Sequence, residues 1–325
     1  MTNIRDVAKE AGVSTATVSR YLNKSGYVSD TSRESIKKAI QTLNYKPSSV
    51  ARSLSKKQTN YIVLIVPDIH NPFFPELARA VEDIALTYDY TVILCNSDED
   101  AQKELAYLES LKEQYVAGFI ITTSALEHQF YQTLDVPIVA LDRKMDEFIP
   151  TVSSDNISGA KIGTEHLMNN DAQHIVCLRG PEGVQTADDR LTGFLQATKH
   201  RDIKTTIVPC PFHFAEAQRI VMDLLKNDPT IDRIFASSDI SAAGALKAAH
   251  ALHIQVPEQL QIIGFDNIDL SEMLTPGLTT IAQDIYQLGA VATRLLIKQI
   301  EHLPIEQRAV QIPVQLIQRE TTRSE

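Results

Sequence analysis

The chain has 325 residues, of which 43% are hydrophobic and 22% are charged. This balance is typical of globular proteins, and the length predicts two or three compact units. No stretch approaches the roughly 18–20 apolar residues of a membrane helix, and the N-terminal segment MTNIRDVAKEAG lacks the apolar core of a signal peptide, so we expect a cytoplasmic protein without membrane contact. Cys95, Cys177 and Cys210 have no metal-ligand spacing, which predicts reduced core residues, no metal and no cofactor.

The net charge of −10 is unevenly distributed along the chain. Residues 1–60 contain eleven Lys or Arg and four Asp or Glu, a formal charge of +7, which leaves −17 for residues 61–325. A basic segment attached to an acidic body favours binding of a polyanion by the basic end. A solvated charged face is the alternative interpretation.

Two short helices are predicted near the N-terminus. Residues 4–11 carry apolar side chains at helical spacing, and Gly12 then permits a tight turn. Ser14 is a good N-cap for a second helix over 15–23. Two short helices joined by a turn that contains glycine predict a helix-turn-helix. A third helix, over about 31–44, is expected to complete a small three-helix core.

The second helix and the segment after the third helix both have features that suit DNA. The outward side chains of the second helix are Thr15, Ala16, Ser19 and Arg20. Short side chains permit close approach to a major groove, and arginine binds guanine or phosphate. The next segment, 46–59, begins with a helix-breaking Lys-Pro and is either a linker that folds on DNA or a plain tether. Leu54, between basic neighbours, could wedge into a minor-groove base step.

The N-terminal residues also resemble a known family. DVAKEAGVSTATVSRYLN, followed by VSDTSRESIKKAIQTLNYKPSSVARSL, is similar without gaps to the headpiece and hinge of the LacI/GalR family. The resemblance implies a homodimer that reads a pseudo-palindromic operator, with a headpiece (1–45), a hinge (46–59) and a body (60–325). It implies that Thr15, Ala16 and Arg20 read bases and that Ser14, Thr17, Ser19 and Asn23 mainly bind phosphates. Ala51 and Leu54 would lie in the central minor groove.

From Tyr61 onward, apolar runs alternate with amphipathic helical stretches. The candidate strands are YIVLIVPDI, YTVILCNSD, GFIITTS, PIVALDR, HIVCLRG, TTIVPC, RIFASSD, LQIIGFD and LTTIAQ. Repeated βαβ units with fully apolar strands predict parallel sheets covered by helices, and the length of this part predicts two α/β lobes. The family resemblance extends over the body. The fold class is therefore an all-α helix-turn-helix headpiece with a periplasmic-binding-protein-like body of two doubly wound parallel-sheet lobes, joined by three crossovers, with the ligand between the lobes.

Polar and aromatic residues follow several of these strands, where open α/β sheets bind ligands. They are Asn71, Phe73, Phe74, Asp142, Arg143, Ser238, Asp266 and Gln283, with Arg190 at the start of a helix. Carboxylates, amides and guanidiniums bind hydroxyl groups while aromatic faces cover apolar ring surfaces, so this set predicts a sugar site. Each residue taken alone is equally well explained as a helix cap or an ion pair.

The segments NPFF, LDR, ADDRLTGF, GFD and TIAQ are also similar to the pocket of ribose-binding proteins and ribose repressors. This resemblance implies that Asp142 and Arg143 from one lobe, and Arg190, Asp266 and Gln283 from the other, hold the sugar hydroxyls. Phe73 and Phe74, with Phe212 or alternatively Phe214, would cover the ring. Ser238 stands where that pocket usually carries asparagine, which leaves room for a larger sugar such as sucrose. Ribose is the leading expectation.

Other functions fit the sequence less well. An enzyme is not expected, since the chain contains no GxGxxG after the first strand, no P-loop, no HExxH and no GxSxG. A transport-type binding protein would not carry the fused headpiece. A catabolite-control regulator with a phosphorylated protein as corepressor remains an alternative. We expect a homodimeric repressor that the sugar releases from its operator, although the sequence does not fix the sign of this response.

Overall fold

The computed structural model describes residues 2–23, 25–45, 59–123, 125–143, 148–169 and 172–323. Internal contacts divide the chain into two units, Met1–Thr59 and Asn60–Glu325. Ala51 and Leu54, for which the sequence predicts minor-groove contacts, lie outside the described residues.

The first unit is a bundle of short helices. They are α1 (Ile4–Ala11), α2 (Thr15–Asn23) and α3 (Asp30–Thr42). The Asn3 side chain accepts hydrogen bonds from the first turn of α1, and Gly12 ends this helix in the left-handed conformation with φ 64°. Apolar faces of the three helices form one core, which contains Val7, Ala8, Val18, Val28, Ile36 and Ala39. The predicted helix-turn-helix is confirmed, and α3 begins slightly earlier than predicted because Ser29 caps it.

The second unit has two lobes, each built on a sheet. The strands of the first lobe are β1 (Tyr61–Val66), β2 (Thr91–Asn96), β3 (Gly118–Ile121), β4 (Ile138–Leu141), β5 (Thr151–Ser154) and β11 (Ala309–Ile312). Among the described residues their order is β11-β5-β4-β3-β1-β2, and the neighbours in this order pair in parallel. The inner strands are buried on both faces, which explains their almost unbroken apolar sequences.

The second lobe has the same architecture with one difference. Its strands are β6 (His174–Leu178), β7 (Lys204–Val208), β8 (Arg233–Ala236), β9 (Gln261–Asp266), β10 (Thr279–Ala282) and β12 (Gln315–Ile317). Their order is β12-β10-β9-β8-β6-β7. The pairs are parallel except that β12 runs antiparallel to β10.

Helices cover both faces of each sheet. The first lobe has α4 (Phe73–Thr87), α5 (Ala101–Glu113), α6 (His128–Gln132) and α12 (Ile285–Ile300). The second lobe has α7 (Asn156–Met168), α8 (Gln185–Thr198), α9 (Phe214–Asn227), α10 (Asp239–Ala251) and α11 (Asp269–Met273). Helix α12 packs beside α4, α7 beside α8, and α9 beside α10. These pairs bury the apolar stripes that the sequence pattern predicts for each helix.

The chain passes from one lobe to the other three times, after β5, after β10 and after β11. The predicted fold class, including these crossovers, is confirmed. Three strands were not predicted, namely β5, β11 and β12. Their sequences are short and partly polar. Strands β11 and β12 lie at sheet edges, where a strand has only one neighbour and is less buried than an inner strand.

Each lobe has two clusters of buried apolar side chains, which lie between its sheet and the helices on either face. Cys95, Cys177 and Cys210 are buried in the body without disulfide bonds, as the sequence predicts. In the described part of the chain, no helix has both the length and the apolar composition needed to cross a membrane.

Candidate functional site

A cavity of about 580 Å³ lies between the two lobes of the body. Its walls come from the segments that follow the carboxyl ends of strands in both sheets. The predicted site residues that line it are Asn71, Phe73, Phe74, Asp142, Arg190, Phe212, Ser238 and Asp266. Two predicted residues, Arg143 and Gln283, do not line the cavity. Gln283 contacts the lining residue Asp266, whereas Arg143 contacts Tyr131.

The guanidinium group of Arg190 lies at the base of this cavity. Its side chain is almost fully buried on α8. Nε donates to Asn156 Oδ1 at 2.8 Å, and Nη1 donates to the Ser237 carbonyl at 2.6 Å and lies 3.3 Å from Asp266 Oδ1. The guanidinium carbon lies 3.8 Å from the centre of the Phe265 ring, so the cation also stacks on an aromatic face. These contacts fix the orientation of the charge before any ligand arrives.

Asp266 faces this guanidinium from the end of β9. Gln283 Nε2 donates to Asp266 Oδ1 at 2.7 Å, so Gln283 positions the carboxylate from outside the cavity wall. Burial raises the pKa of Asp266 to about 6, while Arg190 and the Gln283 amide oppose the rise. Burial and the neighbouring Asp266 carboxylate together raise the pKa of Asp239 well above its ordinary value. Asp239 is held by Thr280 Oγ1 at 2.5 Å and by the Ile268 amide at 3.0 Å.

Asp142 approaches the cavity from the first lobe. Its backbone is left-handed, with φ 51°, and its Oδ1 accepts a hydrogen bond from the Ser154 amide at 3.2 Å. Burial raises the pKa of Asp142, and the Arg190 guanidinium opposes this effect. The site therefore concentrates buried carboxylates around one guanidinium. Carboxylates accept hydrogen bonds, so the arrangement suits a ligand that carries several hydroxyl groups.

The Arg143 side chain turns into the first lobe behind Asp142. Its Nη1 donates to the Thr123 carbonyl and to Tyr131 Oη at 3.2 Å, and its guanidinium carbon lies 5.3 Å from the centre of the Tyr131 ring. Tyr131 in turn donates to Glu104 Oε1 at 2.5 Å. The sequence predicted Arg143 as a direct ligand of the sugar, and that role stays a prediction.

Aromatic side chains form part of the cavity wall. Phe73 and Phe74 meet edge to face, with ring centres 5.2 Å apart. Phe212 lines the cavity from the second lobe and lies so close to Gly180 that a Cβ there would approach the ring to 2.8 Å. The alternative aromatic residue, Phe214, is not among the lining residues and is 41% exposed.

Ser238 lines the cavity but its hydroxyl is already engaged. It caps α10, accepts from the Ser241 amide at 3.1 Å and donates to Ser241 Oγ at 2.9 Å. By contrast, Ser154 Oγ and Gln283 Oε1 are among the buried polar atoms that have no hydrogen-bond partner in the described part of the chain. Both belong to residues that hold the cavity carboxylates Asp142 and Asp266, but neither residue lines the cavity itself.

Several cavity residues were not predicted. They include Asp68, Glu99, Thr122, Glu182 and Thr186. Asp68 follows β1, Glu99 follows β2 and Glu182 follows β6, so the strand-end rule that identified the other residues applies to them as well. Asn156, which holds Arg190, lies at a crossover and begins a helix. Its role depends on a contact across 34 positions of the chain.

The headpiece presents the predicted DNA-binding residues on α2. Ser14 caps the helix by accepting from the Thr17 amide at 3.1 Å. Thr15, Ala16, Arg20 and Asn23 are exposed, whereas Thr17 and Ser19 are partly buried. The buried side of the helix is anchored by Val18. The exposed face is therefore free of any role in the headpiece core.

Comparison with known proteins identifies relatives of both units. Residues 3–48 match the model of bacterial regulatory proteins of the lacI family, and residues 59–320 match that of periplasmic binding proteins and the sugar binding domain of the LacI family. The ribose operon repressor of Halalkalibacterium halodurans is 55% identical over 323 residues, which cover 99% of this chain and 98% of that protein.

Two solved structures extend this comparison. A LacI family transcriptional regulator from Enterococcus faecium with bound ribose matches with a TM-score of 0.74 at 31% identity, over 81% of this chain and 98% of that chain. The lac repressor dimer bound to operator and the anti-inducer ONPF matches with a TM-score of 0.84 at 25% identity, over 99% of both chains.

Proposed function

Because the chain belongs to the LacI family of bacterial regulatory proteins, we propose that it represses a ribose operon and that ribose releases it from its operator. It is a sugar-responsive transcriptional repressor. The observation that carries the choice of effector is the cavity, in which Asp142, Arg190 and Asp266 face a space walled by phenylalanine rings.

Each chemical feature of this cavity corresponds to a feature of a sugar. The carboxylates of Asp142 and Asp266 accept hydrogen bonds from hydroxyl groups, and Arg190 donates to hydroxyl or ring oxygens. Phe73 and Phe212 offer apolar faces for the carbon–hydrogen surface of the ring. Gln283 acts through Asp266, and Asn71 and Ser238 add polar groups to the wall. Arg143 adds a guanidinium donor when its side chain turns toward the ligand.

The DNA-binding residues are assigned to the headpiece. Thr15, Ala16 and Arg20 read base edges in the major groove, and their exposure on α2 supports this role. Ser14, Thr17, Ser19 and Asn23 mainly bind phosphates. In the hinge, Ala51 and Leu54 of two chains meet in the central minor groove. The corresponding domain limits are a headpiece over 1–45, a hinge over 46–59 and a body over 60–325.

The response to sugar couples the cavity to the hinge. A homodimer without sugar keeps its two hinges close enough to occupy the minor groove. Sugar binding closes the lobes, shifts the first lobes relative to each other and separates the hinges. A coupling free energy of roughly 1–3 kcal/mol would weaken operator binding by about 5- to 150-fold. The protein acts in the cytoplasm, where its DNA is, and has no catalytic role.

Calorimetric titration of the full chain tests the effector. We expect D-ribose to bind, and sucrose, fructose and glucose to bind at least about tenfold more weakly, since the wrong hydroxyl pattern leaves buried polar groups unpaired. Asp266→Asn should weaken ribose binding by about 10- to 100-fold. Asp269→Asn removes the same charge from an exposed position three residues along the chain and should leave binding unchanged. Binding of another sugar in place of ribose would overturn the choice of effector while leaving the repressor assignment intact.

A further inference from the structure

Negative charge predominates on the walls of the cavity. Among the lining residues, the ionisable side chains are Asp68, Glu99, Asp142, Glu182, Asp266 and Arg190. Asp68 and Glu99 come from the first lobe, and Glu182 comes from the second lobe. These three are at least partly exposed, with side-chain exposures of 48% for Asp68 and 76% for Glu182. The carboxylates of Asp142 and Asp266 lie deeper, beside Arg190.

The neighbouring cations are already held by carboxylates. Arg190 forms an ion pair with Asp266 and donates hydrogen bonds to Asn156 and the Ser237 carbonyl. Arg179 binds Glu182 at 2.8 Å and Asp188 at 2.6 Å. Lys103 binds Asp98 at 2.5 Å, next to Glu99 in the chain. Among the described residues that line the cavity, Arg190 is the only cation, and Asp266 already pairs with it. The Arg143 guanidinium is not part of the lining and is turned toward the Thr123 carbonyl and Tyr131.

We infer that the cavity selects an unphosphorylated sugar and rejects the phosphate ester of the same sugar, and that Glu99 and Glu182 determine this selectivity. The inference rests on the proposed function, since it concerns the same site. A phosphate monoester carries a charge of about −1.5 to −2 at neutral pH and needs donors or cations at its oxygens. Carboxylates on both walls place like charges around such a group instead. A neutral sugar gains from the same carboxylates because its hydroxyls donate to them.

The size of the effect follows from Coulomb repulsion. Each carboxylate at roughly 8 Å from a phosphate, screened as in water, weakens its binding by about fivefold relative to the neutral sugar. Because Arg179 partly neutralises Glu182, the three carboxylates at the cavity entrance, Asp68, Glu99 and Glu182, together weaken it by about 30-fold or more. The Debye length is about 10 Å at 0.1 M salt and about 3 Å at 1 M, so the difference between the two ligands should shrink as salt is added.

If the cavity binds only the unphosphorylated sugar, the protein responds to the substrate of a sugar kinase and not to its product. A sugar kinase transfers a phosphoryl group from a nucleoside triphosphate to a sugar hydroxyl and releases the nucleoside diphosphate and a proton. The product carries the charge that the cavity excludes. The repressor therefore reports the sugar before a kinase acts on it, and the kinase reaction removes the signal.

Matched pairs of ligands test the inference on the full-length protein. D-ribose and D-ribose 5-phosphate, D-glucose and D-glucose 6-phosphate, and D-fructose and D-fructose 6-phosphate are titrated calorimetrically at low and high salt. The variants are Glu99→Gln, Glu182→Gln and the double variant. Glu109→Gln removes the same charge from an exposed position on α5 of the first lobe and serves as the control. The readout is the ratio of the dissociation constants of ester and parent sugar.

We expect ribose 5-phosphate to bind at least about 30-fold more weakly than ribose to the wild type and the control. The ratio should fall by about fivefold or more in the double variant and should also fall at high salt. An ester that binds as tightly as its parent sugar would overturn the inference, and so would an unchanged ratio in the double variant. If another neutral sugar binds in place of ribose and its ester does not, ribose is wrong and the charge selectivity stands. Failure of every pair to bind would overturn both proposals.

Discussion

Replacement of Arg190 by methionine should destabilise the body strongly, and by an amount that depends on pH. Methionine keeps most of the aliphatic stem but removes the guanidinium that holds Asn156, the Ser237 carbonyl and Asp266. Loss of one partner from a buried ion pair costs about 3–5 kcal/mol because the other charge remains buried. We therefore expect the free energy of unfolding to fall by about 3–5 kcal/mol at pH 8.

The sign of the pH dependence follows from Asp266. Its folded-state pKa, about 6, lies above the ordinary value of 3.8, so its protonated form is favoured by folding. The corresponding stability is fully present below about pH 4 and is lost as the pH rises through 6. Arg190 lowers this pKa in the wild type, so the pKa should rise further in Arg190→Met. The variant then keeps Asp266 protonated at pH 5.5, and the cost of the buried charge disappears.

A smaller, pH-independent loss should remain at pH 5.5. It comes from the unpaired Ser237 carbonyl and Asn156 amide, and we expect roughly 1–3 kcal/mol for these groups. The difference in unfolding free energy between wild type and variant should therefore narrow by about half between pH 8 and pH 5.5.

Urea unfolding of the full chain, followed by far-UV circular dichroism at fixed protein concentration, measures these differences. The chain contains no tryptophan, so intrinsic tryptophan fluorescence cannot be used. Arg179→Met is the matched control, because Arg179 pairs with the partly exposed carboxylates of Glu182 and Asp188. It should cost about 1 kcal/mol or less, equally at both pH values. A loss below 1 kcal/mol for Arg190→Met at pH 8, or an equal loss at both pH values, would show that Arg190 does not balance a buried Asp266 charge.

Three further substitutions probe other parts of the molecule. Asp266→Asn should weaken ribose binding by about 10- to 100-fold in calorimetry. It should leave the melting temperature at pH 8 no lower, because burial disfavours the charged form of Asp266, as its raised pKa shows, and the Asp142 carboxylate still balances the Arg190 charge. A clear drop in melting temperature would contradict this. Gly193→Ala should lower the unfolding free energy by about 1–3 kcal/mol, because the added Cβ would lie 2.2 Å from the Ile157 carbonyl on the adjacent helix. The control Gln196→Ala, at an exposed position on the same helix, should change the unfolding free energy little. Equal effects of the two substitutions would argue against close packing of the helices at Gly193. Arg20→Ala should weaken operator binding, measured by fluorescence anisotropy, by about 1–3 kcal/mol and leave ribose binding unchanged. If the variant keeps the wild-type preference for operator over scrambled DNA, Arg20 does not read bases.

The fold could be predicted where local pattern and burial agree. Strands β1, β3, β4, β6, β8 and β9 are buried on both faces and mostly apolar, and the helices between them have amphipathic spacing. Strands β5 and β12 could not be recognised, because TVSS and QLI are short and partly polar and pair with segments far along the chain, β5 with β11 and β12 with β10. The position of β11 beside β5 likewise depends on contacts across more than half of the body.

The candidate site was predictable in its location more than in its contacts. Asp142 and Asp266 follow strands, and parallel strands present their carboxyl ends on one side of a sheet. The direction of a side chain is not contained in that rule. Arg143 comes one residue after Asp142 at the end of β4, yet its guanidinium turns toward Tyr131. The raised pKa of Asp239 arises from burial beside Asp266, which only the folded structure brings about.

Release of this repressor from specific DNA by ribose can be measured directly. The most direct measurement incubates the full-length protein with fragmented genomic DNA, with and without D-ribose, and sequences the fragments that stay bound. We expect fragments upstream of ribose-utilisation genes to be retained without ribose and lost when ribose is present, while D-ribose 5-phosphate at the same concentration has little effect. Retention of the same fragments in the presence of ribose, or tighter retention, would contradict the account.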